Sequence, residues 1–178
     1  MNSKEVKKMI AALEEKKKKP GRPGKKYLYF AYGSNINMKQ MAMRCPDSVP
    51  MFKATLHNAK MLFRCYADVE YEQKKRAFVK GVVYEITKDC MKALDRYEGY
   101  PRFYKKVKCI VQGPYDKYYE AFMYVMQKDV RPLELPTEQY FSAIGQGYSD
   151  WNIPVTSLCR AWEDTAILLG EIEKMEVK

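Results

Sequence analysis

The stretch Tyr29-Phe30-Ala31-Tyr32-Gly33-Ser34-Asn35 decides how the front of this chain folds. Every residue from Tyr27 to Tyr32 is apolar or aromatic, which predicts a buried strand. The Gly-Ser-Asn trio that follows favours a tight turn with exposed backbone N–H groups, and the methionines within residues 36–45 are spaced as in a short helix. Backbone N–H groups that converge at such a junction can bind an anion or a polarised carbonyl, although for the turn taken alone an ordinary strand end is the better interpretation.

A second informative segment follows about sixty residues later and reads Leu94-Asp95-Arg96-Tyr97-Glu98-Gly99-Tyr100-Pro101. Together the two segments resemble the γ-glutamylcyclotransferase-like superfamily, which includes the γ-glutamylamine cyclotransferases. Tyr32-Gly33-Ser34-Asn35 is similar to that family's YGSN turn, and Glu98-Gly99 is similar to the step that carries its catalytic glutamate. The resemblance extends from about Tyr27 to Gln127, with a looser continuation beyond.

The resemblance implies a fold, an activity and a set of site residues. The implied fold is α+β, a small mixed-sheet barrel with flanking helices. The implied reaction converts a γ-glutamyl amine or peptide to 5-oxoproline and a free amine, with Glu98 as general acid and base. The residues implied to bind the γ-glutamyl substrate are Tyr32, Gly33, Ser34, Asn35, Tyr104 and Tyr124.

The residues around Glu98 suit that chemistry. Tyr97, Tyr100, Phe103 and Tyr104 predict apolar surroundings, which would raise the pKa of the Glu98 carboxyl above its free value of about 4.3. An exposed glutamate at a helix C-terminus is the ordinary alternative. Because the α-amine of a γ-glutamyl group can attack its own γ-carbonyl, the reaction needs orientation and proton transfer but no enzyme nucleophile. The absence of an evident Ser-His or Cys-His pair agrees with this.

The remaining pattern predicts mixed α and β structure after residue 26. Thr87 is a natural N-cap for a helix that ends at Gly99, and Pro136-Thr137 opens another helix that runs through about Gly147. The other predicted elements are strands at Lys60 to Val69 and Ala77 to Ile86, a polar loop at Ala67 to Lys75, a hairpin of Tyr104 to Gln112 with Tyr118 to Gln127, and a last helix from Val155 to Ile172.

The net charge of +10 is concentrated at the front of the chain. Residues 1–26 hold ten basic and three acidic residues, which leaves a nearly balanced body. We therefore predict a basic arm over residues 1–26, with a short amphipathic helix at Ser3 to Lys18 and a linker at Pro20 to Gly24, and a domain over residues 27–178. The arm is either a solvated tether whose helix docks on the domain or on another subunit, or a segment that makes a weak, salt-sensitive contact with nucleic acid.

Composition argues against several classes of protein. No run of eighteen apolar residues is present, and the N-terminus lacks the apolar core of a signal peptide, so neither a membrane contact nor secretion is predicted. The five cysteines are widely spaced and form no CxxC pair, which favours reduced thiols and a cytoplasmic location. His57 is the only histidine, and no cluster of ligands predicts a metal site or a cofactor.

Two other interpretations stay open at this point. The same fold could serve as a non-catalytic module that binds a ligand, with the basic arm or the C-terminal helices contacting protein or nucleic acid; the glutamate at position 98 counts against it. Alternatively, an enzyme of this fold could act on a γ-glutamyl group attached to an unusual amine or carrier.

Overall fold

A barrel of five strands forms the centre of the computed structural model, which describes residues 24–72, 77–127 and 130–176 of the chain, with side chains described as far as residue 170. The barrel closes in the strand order β1-β5-β2-β6-β7, while β3 and β4 form a separate two-stranded sheet. The strand bounds are β1 Tyr27–Ala31, β2 Val49–His57, β3 Ala59–Arg64, β4 Tyr66–Tyr71, β5 Phe78–Ile86, β6 Tyr104–Gln112 and β7 Tyr118–Met126.

Helices flank the barrel, and their N-termini are capped by the side chains that the sequence favours for this purpose. The α-helices are α1 Met38–Arg44, α2 Lys88–Tyr97, α3 Glu138–Asp150 and α4 Thr156–Glu176, and a 3-10 turn covers Ser34–Ile36. The side chains of Asn37, Thr87 and Thr137 accept hydrogen bonds from the third residue after each of them. In the part of the chain that the structure covers, no helix is both long and apolar enough to cross a bilayer.

Strand β1 closes the barrel because it pairs on both of its edges. It runs antiparallel to β5 and parallel to β7, and the second pairing makes the sheet mixed. Tyr29 of β1 lies opposite Tyr84 on one side and Phe122 on the other. With all five residues of β1 buried or half-buried, the strand that opens the domain lies in its core. The predicted α+β class and the small mixed-sheet barrel are confirmed.

The prediction for residues 60–75 was wrong in detail. A single strand from Lys60 to Val69 does not form, because the chain reverses at Cys65, which has a left-handed φ of 65°. Strands β3 and β4 pair around it in register, with Ala67 opposite Phe63, so most of the predicted loop at Ala67 to Lys75 is strand as far as Tyr71. Residues 73–76 lie outside the described part. Strand β2 was not predicted at all.

The turn that follows β1 is held in place by helix α3. Gly147 of α3 packs directly on this turn: a Cβ at that position would lie 2.5 Å from Ile36 Cγ2 and 2.6 Å from the backbone N of Asn37. Such distances leave no room for a methyl group unless the backbone moves. Position 147 therefore requires glycine, because a larger residue would prevent α3 from approaching the turn this closely.

We predict that Gly147→Ala lowers the free energy of unfolding by about 1–3 kcal/mol, because the added methyl group overpacks this contact. Gly145→Ala, two residues earlier in the same helix, is the control, since the nearest atom to its Cβ would be Leu158 Cδ2 at 4.0 Å. That variant should be neutral or stabilised by up to about 1 kcal/mol, as expected for glycine to alanine within a helix. Urea unfolding of both variants tests this, and equal effects would contradict it.

Candidate active site

A cavity of about 430 Å³ opens between the turn after β1 and the C-terminal end of α2. This volume is within the range of small-molecule sites. The structure brings all of the predicted site residues to its wall: Tyr32, Gly33, Ser34, Asn35, Glu98, Tyr104 and Tyr124. The structure thus places these residues together, while their roles in catalysis and substrate binding stay predictions.

Glu98 caps the C-terminus of α2 and faces the turn across the cavity wall. Its Oε1 accepts a hydrogen bond of 2.9 Å from Asn35 Nδ2. Burial raises the pKa of the Glu98 carboxyl from 4.5 to about 7, and the Asn35 hydrogen bond and the positive charge of Arg44 only partly offset this rise. The carboxyl is therefore able to lose and gain a proton near neutral pH. Gly99, which follows it, has a left-handed φ of 63°, so the chain can turn away immediately.

The orientation of the Asn35 amide is determined by Arg44. Arg44 Nη1 donates to Asn35 Oδ1 at 2.6 Å and to Ser34 Oγ at 3.1 Å, and its guanidinium lies 3.8 Å from the centroid of the Tyr97 ring. Because a guanidinium can only donate hydrogen bonds, the amide oxygen must face Arg44. The amide nitrogen consequently points to Glu98 and to the Tyr29 hydroxyl, which it reaches at 2.8 Å.

Three of the predicted residues contribute rings to the cavity, while their hydroxyl groups are bonded within the protein. Tyr32 donates to the backbone oxygen of Tyr124 at 2.6 Å, Tyr104 donates to the backbone oxygen of Ala67 at 3.1 Å, and Tyr124 donates to Asp95 Oδ1 at 2.6 Å. Burial raises the pKa of all three phenols above their ordinary value of 10.0, so they stay protonated at neutral pH. They can shape the cavity and exclude water.

Tyr140, in the first turn of α3, contributes to the wall of the same cavity. Its hydroxyl oxygen accepts a hydrogen bond of 3.2 Å from Ala67 N. Because the oxygen acts as acceptor in this contact, the Tyr140 O–H can donate to a further partner in the cavity.

Sequence reasoning missed Arg44 and Tyr140. Arg44 follows Asn35 by nine positions and is placed beside it by the fold of α1, while Tyr140 comes from α3. Neither residue belongs to the two motifs. Each of the five cysteines is a free thiol and none lines the cavity, and His57 is exposed at the end of β2. Within residues 24–72, 77–127 and 130–176, no group of three or more His, Cys, Asp or Glu side chains could hold a metal ion.

The structure is thus a small α+β domain whose closed mixed barrel holds a half-buried carboxyl group beside the turn after its first strand. Residues 29–143 match the family model described as "Gamma-glutamyl cyclotransferase, AIG2-like", and the chain belongs to this family. Family membership supports a cyclotransferase type of function. No curated protein matches the chain significantly.

Solved structures share the fold. A structure described as "Gamma-glutamyl cyclotransferase" is 23% identical with a TM-score of 0.69, covering 77% of this chain and 86% of its own. An uncharacterized protein from Homo sapiens is also 23% identical, with a TM-score of 0.67 and coverage of 76% and 86%. A gamma-glutamyl cyclotransferase from yeast specific to glutathione is 11% identical with a TM-score of 0.54, covering 79% and 96%. At these identities the likeness concerns the fold.

The raised pKa of Glu98 predicts a dependence of stability on pH. Because the folded state holds the Glu98 proton more tightly than the unfolded chain, the contribution is fully present below pH 4.5 and is lost as pH rises through about 7. Glu98→Gln has no such proton, so its free energy of unfolding relative to wild type should rise by about 2–3 kcal/mol between these pH values.

Chemical denaturation of both proteins across this pH range measures the difference. Glu120→Gln is the matched control, because the Glu120 side chain is 71% exposed and does not line the cavity. A constant difference between Glu98→Gln and wild type would show that the carboxyl titrates normally.

Proposed function

We propose that this protein is a cyclotransferase that converts a γ-glutamyl amine or peptide to 5-oxoproline and a free amine, with Glu98 carrying both proton transfers. The observation that carries the proposal is the Glu98 carboxyl itself. It lines a cavity of ligand size, is hydrogen-bonded to Asn35 of the turn, and has a pKa raised to about 7. Membership of the cyclotransferase family supports the reaction type.

The proton transfers follow from that pKa. Glu98 as carboxylate accepts a proton from the α-ammonium group, and the freed amine attacks the γ-carbonyl to form a new C–N bond and a five-membered ring. As the original C–N bond breaks, the departing nitrogen takes this proton from Glu98. The ring nitrogen gives up its second proton through Glu98 to the departing amine, which leaves as an ammonium ion, and Glu98 returns to the carboxylate. A group with a pKa near the working pH is suited to both steps. No covalent bond to the protein forms.

The oxygen of the γ-carbonyl becomes negative during the attack and needs a hydrogen-bond donor. We assign this role to the Tyr140 hydroxyl together with the backbone N–H groups of the turn at Gly33 to Asn35. The Tyr140 hydroxyl is suitable because its oxygen already accepts from Ala67 N, so that its own proton can be donated to the substrate. Preorganised donors of this kind commonly contribute about 10²–10³ to a rate.

The folded conformer of the substrate also has to be held. The rings of Tyr32, Tyr104 and Tyr124 line the cavity, and their engaged hydroxyls keep them fixed. A rigid wall restricts the γ-glutamyl chain so that its amine stays near its own carbonyl, and such orientation can lower a barrier by several kcal/mol, up to roughly 7–11. We propose this as the function of the predicted binding residues.

Glu98→Gln should lower turnover on a γ-glutamyl compound by about a hundredfold or more, because glutamine keeps the size of the side chain but accepts no proton. Release of 5-oxoproline, measured by chromatography, is the assay. The controls are Glu85→Gln, which loses a partly exposed ion pair with Lys26, and Glu120→Gln. If Glu98→Gln keeps wild-type turnover while a control variant is inactive, another carboxylate carries the proton transfers. If wild type releases no 5-oxoproline from any of a broad panel of γ-glutamyl compounds, the protein is better explained as a non-catalytic binding module.

We also propose that residues 1–26 are an arm separate from the catalytic unit, and that the five free thiols suit a reducing compartment such as the cytoplasm. Most of the predicted arm, including the predicted helix at Ser3 to Lys18, lies outside the described residues. Of its last residues, Lys26 makes a partly exposed ion pair of 3.4 Å with Glu85, a type of contact that contributes little.

Deleting residues 1–26 should therefore leave the melting temperature and the rate of 5-oxoproline release nearly unchanged, while it weakens any salt-sensitive binding to nucleic acid or protein. Calorimetry, the turnover assay and a filter-binding assay at two salt concentrations compare the two forms. Unfolding or loss of turnover in the shortened protein would show that the arm completes the domain.

A further inference from the structure

A second cavity, of about 650 Å³, is separate from the one that holds Glu98. One face of β2 and β5 forms one wall, the turn after β6 closes one end, and the connection between α3 and α4 forms the opposite wall. Of the described residues, none lines both cavities. The volume is within the range of small-molecule sites, and the proposed reaction makes no use of this cavity.

Two lysines share the strand wall of the second cavity. Lys80 of β5 lies directly opposite Thr55 of β2. Lys53 lies two residues before Thr55 on the same strand, so its side chain is on the same face of the sheet. Diagonal neighbours of this kind are about 7–8 Å apart, which is within reach of long side chains. One anion between the two strands can therefore contact both ammonium groups.

Both ammonium groups keep most of their hydrogen-bonding capacity. Lys80 Nζ donates to Thr55 Oγ1 at 2.9 Å, and Lys53 Nζ donates to the backbone oxygen of Asn152 at 3.3 Å. An ammonium group has three donors, so each lysine has two donors left. Among the residues that the structure describes, neither lysine forms an ion pair with a carboxylate.

The charges of the second cavity favour an anionic ligand. The charged side chains that line it are Lys53, Lys80 and Asp116, which leaves an excess of positive charge. Asp116 is exposed beyond the end of β6, where its Oδ1 accepts a hydrogen bond of 2.9 Å from Gln112 Nε2. An anion at the two lysines consequently gains two positive partners without displacing an existing ion pair.

The opposite wall is apolar and fixed in place. Trp151, Ile153 and Pro154 of the connection between α3 and α4 line it. Trp151 Nε1 donates to the backbone oxygen of Ile36 at 3.0 Å, and its ring packs edge-on against the Tyr84 ring with 5.8 Å between the centroids. An apolar wall that is already formed, together with a few convergent polar groups, is the usual composition of a small-molecule site.

We propose that this cavity is a second binding site, which takes a phosphate monoester that has an aromatic or other apolar body. A phosphate monoester carries close to two negative charges at neutral pH, which matches two ammonium groups. Lysine binds phosphate well as a point charge, whereas a planar carboxylate is matched best by arginine, and the described residues that line this cavity include no arginine. The apolar body lies against Trp151 and Ile153.

Phenyl phosphate is the probe, and inorganic phosphate and benzyl alcohol represent its two halves. Titration calorimetry measures affinity, and fluorescence reports on Trp151 once Trp162→Phe has removed the other tryptophan, which lies on α4 outside this cavity. Phenyl phosphate should bind at least about tenfold more tightly than either half and change the Trp151 emission, because it contacts both walls. Replacing both lysines, by Lys53→Gln and Lys80→Gln, should weaken its binding about tenfold or more.

Lys92→Gln is the matched control, because it removes the same charge from an exposed position of α2 outside this cavity, and it should keep the wild-type affinity. Glu98→Gln should keep it as well, since the probe binds apart from the proposed catalytic carboxyl. Each single lysine variant should lose part of the affinity, which keeps the test valid if the melting temperature shows that the double variant does not fold.

Several results would overturn the second site while leaving the cyclotransferase proposal untouched. They are binding of phenyl phosphate no tighter than that of inorganic phosphate, unchanged affinity in the lysine variants, and binding without a change in Trp151 emission. Loss of binding in Glu98→Gln would place the probe in the other cavity and overturn it too. No detectable binding at millimolar concentration would have the same consequence.

Discussion

The hydrogen bonds of a single side-chain amide connect the two halves of the site. Asn35 accepts from Arg44 on one side and donates to Glu98 and Tyr29 on the other. Because Arg44 can only donate, the amide has one allowed orientation, and in this orientation its nitrogen faces the carboxylate. Residues 63 positions apart in the chain are thereby fixed at hydrogen-bond distance beside the cavity.

The fold supports this contact from several directions. Strand β1 is paired on both edges, so the turn that follows it starts from a fixed point on the barrel. The backbone oxygen of Ile36 at the end of the turn accepts hydrogen bonds from Trp151 Nε1 at 3.0 Å and the Tyr84 hydroxyl at 3.4 Å. Gly147 allows α3 to approach the turn closely. These contacts keep the turn packed against Glu98. The burial that results raises the pKa of the Glu98 carboxyl to about 7, and a looser turn would admit water and lower that pKa.

Local patterns in the sequence were sufficient for the elements that are uniformly buried or clearly capped. The apolar run from Tyr27 predicted β1, Thr87 predicted the start of α2, and the hairpin of β6 and β7 followed from two long strands around Gly113. Strand β2 was missed because most of its residues are exposed or half-buried and Pro50 adjoins a bulge, so it shows little alternation. The reversal at Cys65 was missed because an apolar residue, not glycine or asparagine, occupies the left-handed position.

The residues of the site likewise divide into those that local sequence motifs predicted and those that only the fold brings together. The motifs predicted the residues that form the turn and the carboxylate, since these lie in two short segments. They could not predict Arg44 or Tyr140, which reach the site only when α1 and α3 pack around the barrel. Nor could they predict the hydrogen bond from Ala67 N to the Tyr140 hydroxyl, because it joins residues 73 positions apart in the chain.

Direct titration of the Glu98 carboxyl by carbon-13 NMR, with the Glu98→Gln spectrum for assignment, tests the central claim. A midpoint of about 7 in wild type is expected, and it should move higher in Arg44→Met, which removes a positive charge and frees the Asn35 amide to turn. A midpoint near the ordinary value of 4.5 would contradict the claim, because the carboxyl would then be a solvated surface group that is not suited to exchanging protons with a substrate at neutral pH.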